Sequence, residues 1–214
     1  MAVAVAEISV IQSDLHDYRQ SWAFQRELHE KVASGQANNT LILVEHDSVF
    51  TAGRRTEAFE RPTDGTPVID VDRGGRITWH GPGQIVGYPI VRLAKRNELV
   101  GFVRIIEGAL IETLANFGIS GVQIPGKTGV WIRDEQGERK IAAIGIRVAK
   151  GVSMHGFALN VCPDLANFDR IVACGMPEAV TTSMERELGR AIAIPEVLRT
   201  LQPIMLEALG RISI

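Results

Sequence analysis

Apolar and polar residues alternate along the chain with two periods, and together these predict an alternation of strands and helices. A strand is predicted at 6–12 (AEISVIQ), followed by a helix at 14–34, where apolar residues recur every three or four positions. The continuous apolar run 41–44 is typical of a strand that is buried on both faces. Two further strands are predicted at 68–71 and 85–91.

The second half of the chain predicts two more helices and a group of neighbouring strands. One helix is predicted at 99–117 and ends at Gly118, and the last begins at Pro195. Three strand-like segments between these helices follow each other closely, which predicts antiparallel neighbours: 129–132 (GVWI), 140–148 (KIAAIGIRV) and 153–161 (SMHGFALNV). The predicted fold is therefore α/β or α+β, a mixed sheet covered by helices.

Length and composition predict one ordinary globular domain. The 214 residues suffice for a sizeable core, so we expect a single domain over 1–214. Hydrophobic residues make up 45% of the chain and charged residues 22%, proportions that are typical of soluble proteins. The net charge of −2 provides no overall basic field for nucleic acid. Four arginines are nevertheless candidates for a local basic patch: Arg54, Arg55, Arg73 and Arg76.

The sequence shows no targeting or membrane signal. No apolar stretch approaches the ~18 residues of a membrane span. The first twenty residues lack the basic region of a signal peptide, and Glu7 interrupts their apolar run. The two cysteines, Cys162 and Cys174, do not suggest a disulfide framework. We therefore expect a cytoplasmic protein with reduced thiols and with neither nucleic acid nor a membrane as partner.

Cys174 and Lys140 each allow a structural and a catalytic interpretation from the sequence. Cys174 precedes Gly-Met-Pro, which predicts a turn, so it is either a small buried hydrophobe or a partly exposed nucleophile with a lowered pKa. Cys162, at a strand end, is interpreted as structural. Lys140 opens a predicted strand and is either solvated or, if buried beside a thiol, able to stabilise a thiolate and transfer protons. Spacing alone does not bring the two residues together.

Small residues occupy one face of two neighbouring predicted strands. Ala143 and Gly145 share one side of their strand, and Gly156 and Ala158 share one side of the next. Two such faces together indicate either a groove for a slender apolar ligand or a close helix-on-sheet contact. The segment 73–84 (RGGRITWHGPGQ) is rich in glycine and indicates a further close approach.

Motifs for metals and phosphates do not occur in this sequence. His80 and His155 have no partner at metal-ligand spacing, so each is interpreted as catalytic or as hydrogen-bonded within the core. The segment 73–84 matches neither the P-loop nor the dinucleotide fingerprint. We therefore expect no metal and no cofactor.

Six blocks in order resemble the lipoyl(octanoyl) transferase family: LVEHDSVFTAGRR (43–55), RGGRITWHGPGQIVGYPI (73–90), GKTGVWI (126–132), KIAAIGIRV (140–148), HGFALNV (155–161) and CGMPEAVTTSM (174–184). The resemblance implies the fold of biotin and lipoate protein ligases, a mixed, largely antiparallel sheet flanked by helices. One departure is Trp79, which stands where many members have Tyr.

The resemblance also implies an activity and its partners. Members of this family transfer an octanoyl or lipoyl group from octanoyl-acyl carrier protein to a lysine of an apo lipoyl domain, the first step of endogenous protein lipoylation. The implied acceptors are the lipoyl domains of 2-oxoacid dehydrogenase E2 subunits and the glycine cleavage H protein. Cys174 matches the family nucleophile that carries the acyl group as a thioester. Lys140 matches the lysine that lowers the pKa of this cysteine and acts as acid and base.

Substrate-binding residues carry over from the same blocks. They are Arg73, Gly74, Gly75, Arg76, Ile77, Thr78, Trp79, His80, Ala143, Ile144, Gly145, Gly156, Phe157 and Ala158. We expect the glycines of the 73–80 segment to form a wall of an acyl-binding groove, with Thr78 and His80 facing the reacting end.

Two other functions remain open from the sequence. An ATP-dependent lipoate or biotin protein ligase would share the fold, but the chain has no ligase-type glycine loop such as G-R-G-R-x-G. A non-catalytic protein that binds acyl groups or lipoyl domains would keep the groove without needing both Cys174 and Lys140.

Overall fold

A mixed β-sheet forms the centre of this computed structural model, which describes residues 7–95, 98–171 and 180–214. Within these ranges the strands are β1 (Ile8–His16), β2 (Asn39–His46), β3 (Val49–Ala52), β4 (Val68–Asp70), β5 (Thr78–His80), β6 (Gln84–Ile90), β7 (Gly121–Ile124), β8 (Lys127–Asp134), β9 (Gly137–Ala149), β10 (Val152–Asn160) and β11 (Val180–Thr181). The α-helices in the same ranges are α1 (Tyr18–Ala33), α2 (Leu99–Ala115), α3 (Met184–Leu188) and α4 (Ile194–Gly210).

Most strand pairs in the central sheet are antiparallel. The strands lie in the order β1-β2-β6-β10-β9-β8-β7, with β11 added beside β9. Only the β1–β2 and β11–β9 pairs in this described sheet are parallel. The β1–β2 pair is parallel because α1 crosses over between them. A separate sheet has the order β4-β3-β5. The predicted fold, a mixed and largely antiparallel sheet flanked by helices, is confirmed.

The helices cover the two faces of the central sheet and create two apolar cores. On one face α2 and α4 pack on each other and on the sheet through residues such as Ile106, Leu110 and Leu201. On the other face α1 contributes Leu28 and Val32 to a smaller cluster. β10 lies between the two layers and is buried along its whole length. No helix in the described ranges has both the length and the apolar character needed to cross a membrane.

The long predicted elements are found, but their boundaries differ. The first helix begins at Tyr18 instead of residue 14, because β1 continues to His16, which pairs with His46. Asp17 then caps the helix by accepting a hydrogen bond from the amide of Gln20 (2.9 Å). The last helix has Pro195 in its first turn, as predicted, and β8, β9 and β10 are consecutive antiparallel neighbours.

Candidate active site

A pocket of about 400 Å³ is lined by the segment 73–80, by β9 and β10, and by the start of α2. Every predicted substrate-binding residue except Trp79 lines this pocket, and Lys140 lines it as well. The structure therefore brings these residues together, while their part in substrate binding stays a prediction. Sequence reasoning did not assign several other residues of the lining to a binding site: Tyr18, Arg55, Val86, Tyr88, Leu99, Val103, Gly126, Lys127, Thr128, Ile146 and His155.

Trp79 belongs to a neighbouring apolar cluster and not to the pocket lining. Its indole Nε1 donates a hydrogen bond to the Ser48 hydroxyl (2.9 Å), and its ring packs edge-on against Phe168 at 5.5 Å between centroids. The ring is buried with Phe50 and Ile77. Because β5 alternates its side chains, Thr78 and His80 line the pocket while Trp79 between them anchors the strand on its other side.

Arg73 organises the glycine-rich wall of the pocket from within. This arginine is buried, and its guanidinium donates to the carbonyl oxygens of Gly74 (3.0 Å), Arg76 (2.8 Å) and Thr51 (2.8 Å). The amide of Gly74 in turn donates to the carbonyl oxygen of Ile146 (3.1 Å). These bonds fix the wall both to β3 and to β9, so residues 73–77, which precede β5, keep their shape without regular secondary structure.

The small residues of β9 and β10 make close contacts with other protein atoms. A Cβ on Gly145 would lie 2.9 Å from Cδ of Arg73, and a Cβ on Gly156 would lie 2.0 Å from the carbonyl oxygen of Gly87. Glycine is therefore required here for the approach of the arginine and of the neighbouring strand β6. Both glycines also line the pocket, and the binding of a slender apolar ligand there stays a prediction. The close contacts of Gly145 and Gly156 are with a loop and with a strand, so the alternative, a helix-on-sheet contact, is not found at these two glycines.

A β-bulge brings Lys140 into the pocket. Val130 of β8 pairs with Ala142, but the next residue, Trp131, pairs with Lys140, so Ile141 is left without a partner. In an unbroken strand residues 140 and 143 would face opposite sides of the sheet. The extra residue shifts the alternation, so Lys140 and Ala143 both line the pocket while Ile141 is in the apolar core.

Gly129 lies directly against the Lys140 side chain. Its φ is +113°, and a Cβ there would lie 2.7 Å from Cε of Lys140 and 2.4 Å from the carbonyl oxygen of Ala142. Its amide donates to the carboxylate of Glu107 (2.8 Å), a fully buried residue of α2 that also pairs with Arg104 (2.6 Å). Glu107 thus fixes the backbone on which the lysine rests.

We expect Gly129→Ala to destabilise the protein by about 3 kcal/mol and to lower transfer activity, because it adds backbone strain and a collision with a carbonyl oxygen. Gly137→Ala is the matched control, since Gly137 has φ +101° but nothing within 4 Å of an added Cβ. The control is expected to lose about 1 kcal/mol. Urea unfolding of both variants measures the difference, and equal losses would show that contact with Ala142 and Lys140 contributes nothing.

A chain of buried amides connects the pocket to the backbone of Lys140. Nδ1 of His80 donates to Oε1 of Gln84 (2.7 Å), whose Nε2 donates to Oδ1 of Asn160 (2.8 Å). Nδ2 of Asn160 donates to the carbonyl oxygen of Thr182 (2.9 Å). The amide of Thr182 donates to the carbonyl oxygen of Lys140 (2.9 Å). This network holds residue 182 at a fixed position beside the lysine.

The histidine in this chain is uncharged. Burial lowers the pKa of His80 to about 3, and because Nδ1 carries the donated proton, Nε2 is left as an acceptor. The ring of Tyr18 stacks on it at 5.8 Å between centroids, and burial raises the pKa of that phenol to about 12. Both groups are neutral at physiological pH, so they offer ring faces and hydrogen bonds to a ligand but no charge.

A histidine that is hydrogen-bonded to a carboxylate lies elsewhere in the lining. Nε2 of His155 is 2.7 Å from Oδ1 of Asp72, and Arg147 pairs with the other carboxylate oxygen (2.5 Å). The hydrogen bond from His155 lowers the pKa of Asp72 to about 2, while burial lowers the pKa of His155. The pair is therefore a neutral imidazole beside a carboxylate. Across residues 7–95, 98–171 and 180–214, no three His, Cys, Asp or Glu side chains are grouped to hold a metal ion.

The predicted nucleophile, Cys174, lies outside the described residues. The described chain resumes with β11, in which Val180 pairs with Arg139 and Thr181 with Lys140. Cys162, the cysteine that the structure does describe, is half-buried and does not line the pocket. Burial raises the pKa of its thiol, which keeps it protonated and agrees with a structural role.

Comparison with known families gives one match over most of the chain. The family described as "Lipoyl protein ligase A/B catalytic domain" matches residues 17–205. A protein named octanoyltransferase from Acidothermus cellulolyticus is 57% identical over 181 residues, which are 84% of this chain and 82% of that protein. A second octanoyltransferase, from Mycobacterium tuberculosis, is 49% identical over 205 residues, 96% of this chain and 88% of its own.

Solved structures of low sequence identity share the fold. A bipartite lipoate protein ligase from Thermoplasma acidophilum has a TM-score of 0.77 at 19% identity and covers 95% of this chain and 84% of its own. A biotin protein ligase from Aquifex aeolicus has a TM-score of 0.58 at 14% identity and covers 95% of this chain and 71% of its own. Together these neighbours confirm the architecture predicted from the sequence blocks.

Proposed function

The chain belongs to the lipoyl protein ligase A/B catalytic domain family, and on this basis we propose that it transfers an octanoyl group through a cysteine thioester. Its relatives of 49–57% identity are named octanoyltransferases, so the chain is an acyltransferase that acts in protein lipoylation. The observation that carries the proposal is the pocket, in which Lys140 and all but one of the expected binding residues meet. The proposed enzyme is a single catalytic domain over 1–214 that acts in the cytoplasm.

The pocket has the composition that an acyl chain and a reacting thioester need. Val86, Ala158 and Val103 give it apolar surface, while Arg55, Lys127 and Lys140 give it positive charge. An apolar wall favours the alkyl chain, and the cations stabilise a thiolate and a developing oxyanion. His80 and Tyr18 are uncharged, so the alkyl chain can pack against their rings without contacting a buried charge.

In the first half-reaction the Cys174 thiolate attacks the carbonyl carbon of the octanoyl carrier thioester. A new C–S bond to the enzyme forms, the C–S bond to the carrier breaks, and the carrier thiolate leaves with the electron pair. The Lys140 ammonium stabilises the attacking thiolate and gives its proton to the leaving thiolate. Thioester exchange is nearly isoenergetic, so this step needs no external energy source.

In the second half-reaction an acceptor lysine amine attacks the enzyme thioester. A C–N bond forms, the C–S bond to Cys174 breaks, and the neutral Lys140 amine takes the proton that the attacking nitrogen loses. This restores both the thiolate and the ammonium. The proposed donor is octanoyl-acyl carrier protein, and the proposed acceptors are the lipoyl domains of 2-oxoacid dehydrogenase E2 subunits and the glycine cleavage H protein.

The test is to incubate the protein with octanoyl carrier protein alone and to measure its intact mass. A single octanoyl adduct, mapped to Cys174 by peptide mass analysis, is expected, and apo lipoyl domain added afterwards should remove it. A protein that transfers only when all three partners are present, with no adduct at any time, would contradict the thioester. Release of pyrophosphate from ATP and free octanoate would instead identify an ATP-dependent ligase.

A further inference from the structure

Trp131 lies beneath two lysine side chains at the edge of the pocket. Nζ of Lys140 is 5.0 Å from the centroid of the indole, and Nζ of Lys127 is 5.3 Å from it. The indole is 1% exposed and sits on β8 directly opposite Lys140 in the pairing with β9. Both distances fall within the range in which a cation is attracted to the face of an aromatic ring.

We propose that Trp131 is a positioning residue for Lys140, whose ammonium its ring holds at the pocket edge. The inference rests on the proposed function, in which Lys140 exchanges protons with the reacting groups. It assigns a role to a residue that the sequence blocks include without explaining, in GKTGVWI (126–132).

The surroundings of the indole favour a role for the ring face over a role for its N–H. Among the described residues Nε1 of Trp131 has no hydrogen-bond acceptor, although the atom is buried. A buried donor without a partner is destabilising, so hydrogen bonding within this part of the chain does not explain a tryptophan here. The face of the ring, in contrast, is occupied by the Lys140 ammonium.

The two cations on the ring are not equivalent. Lys127 is paired with Glu138 at 2.5 Å, so much of its charge is balanced within β8 and β9. Lys140 is half-buried and directly precedes the bulged residue Ile141. Its side chain lies against Gly129. The indole ring and the Gly129 backbone therefore both lie against the Lys140 side chain.

Removal of the ring should therefore reduce the rate of chemistry more than the affinity for substrate. We expect Trp131→Phe to lower kcat about threefold and Trp131→Leu to lower it about tenfold or more, the range that a partly desolvated cation–π contact spans. KM for the carrier substrate should stay within about twofold, because the alkyl-binding residues are unchanged.

Trp22→Phe is the matched control. Trp22 is also a tryptophan with a buried Nε1 that has no hydrogen-bond partner and with a cation over its ring, but this cation, Arg26 at 4.1 Å, is not among the residues that line the pocket. The same chemical change there should leave kcat and KM as in the wild type.

A second readout separates positioning from a merely structural role. In protein labelled at lysine, the Lys140 Hε resonances, assigned by Lys140→Arg, should be shifted upfield by the ring current and should lose this shift in Trp131→Leu. Loss of kcat with the shift retained would overturn the inference, as would wild-type kcat in a folded Trp131→Leu. A wild-type protein that forms no acyl adduct would reject the proposed function, whereas the ring-current shift would still report the contact.

Discussion

Lys140→Met is expected to lower the rate of octanoyl transfer about 10²- to 10⁴-fold, the range that one general acid–base group contributes. The physical reason is that Lys140 lines the pocket with an ammonium proton that it can give and take back, whereas the two histidines of the described lining cannot supply one. His80 is held neutral by burial and the His155 imidazole is bound to Asp72, so neither offers a proton at neutral pH. Single-turnover acylation and deacylation, followed by intact mass, measure the two half-reactions separately.

Two further variants make the result specific. Lys140→Arg keeps the charge but holds its proton at all accessible pH values, so it should retain acylation better than deacylation. Lys31→Met removes an exposed lysine of α1 that pairs with Glu27 at 2.6 Å and should leave both half-reactions unchanged. A Lys140→Met enzyme that is folded and within about threefold of wild type would reject the acid–base role.

Cys174→Ser is expected to abolish transfer, with a loss of at least about 10³-fold, because a hydroxyl is a far weaker nucleophile than a thiolate at neutral pH. Binding of the carrier should persist, since the variant changes none of the described residues that line the pocket. The measurement is transfer to apo lipoyl domain together with intact mass, in which the variant should show no octanoyl adduct.

Cys162→Ser is the control for loss of a thiol. Cys162 is half-buried outside the pocket, and its thiol pKa is raised by burial, so it should contribute neither nucleophile nor binding surface. The control should acylate at the wild-type rate. An adduct that persists in Cys174→Ser but disappears in Cys162→Ser would assign the nucleophile to the other cysteine.

The sequence predicts an element correctly where one periodicity of apolar residues continues over many positions. The helices α2 and α4 and the strands β9 and β10 each carry many residues of one periodicity, so their apolar faces were visible without a partner. Its errors fall on short or contested segments. The periodicity predicts that α1 begins at residue 14, but the pairing of His16 with His46 extends β1, and the helix begins at Tyr18. The short strands β3, β5 and β7 depend on neighbours that lie far away in sequence.

The chemistry of the site was accessible from the sequence as a set of residues, since six ordered blocks identify the family and with it Lys140 and Cys174 as candidates. Strict alternation along β9, however, places residue 140 on the face opposite Ala143. In the tertiary structure Lys140 lies on the same side as Ala143, because the register of pairing with β8 leaves Ile141 as a bulge between them. The same pairing sets Trp131 opposite Lys140 and requires glycine at 129. The sequence of a strand predicts the alternation of its side chains between the two faces of the sheet. The position of a bulge in that alternation depends on the pairing with the neighbouring strand. In β9 the bulge at Ile141 places Lys140 in the pocket.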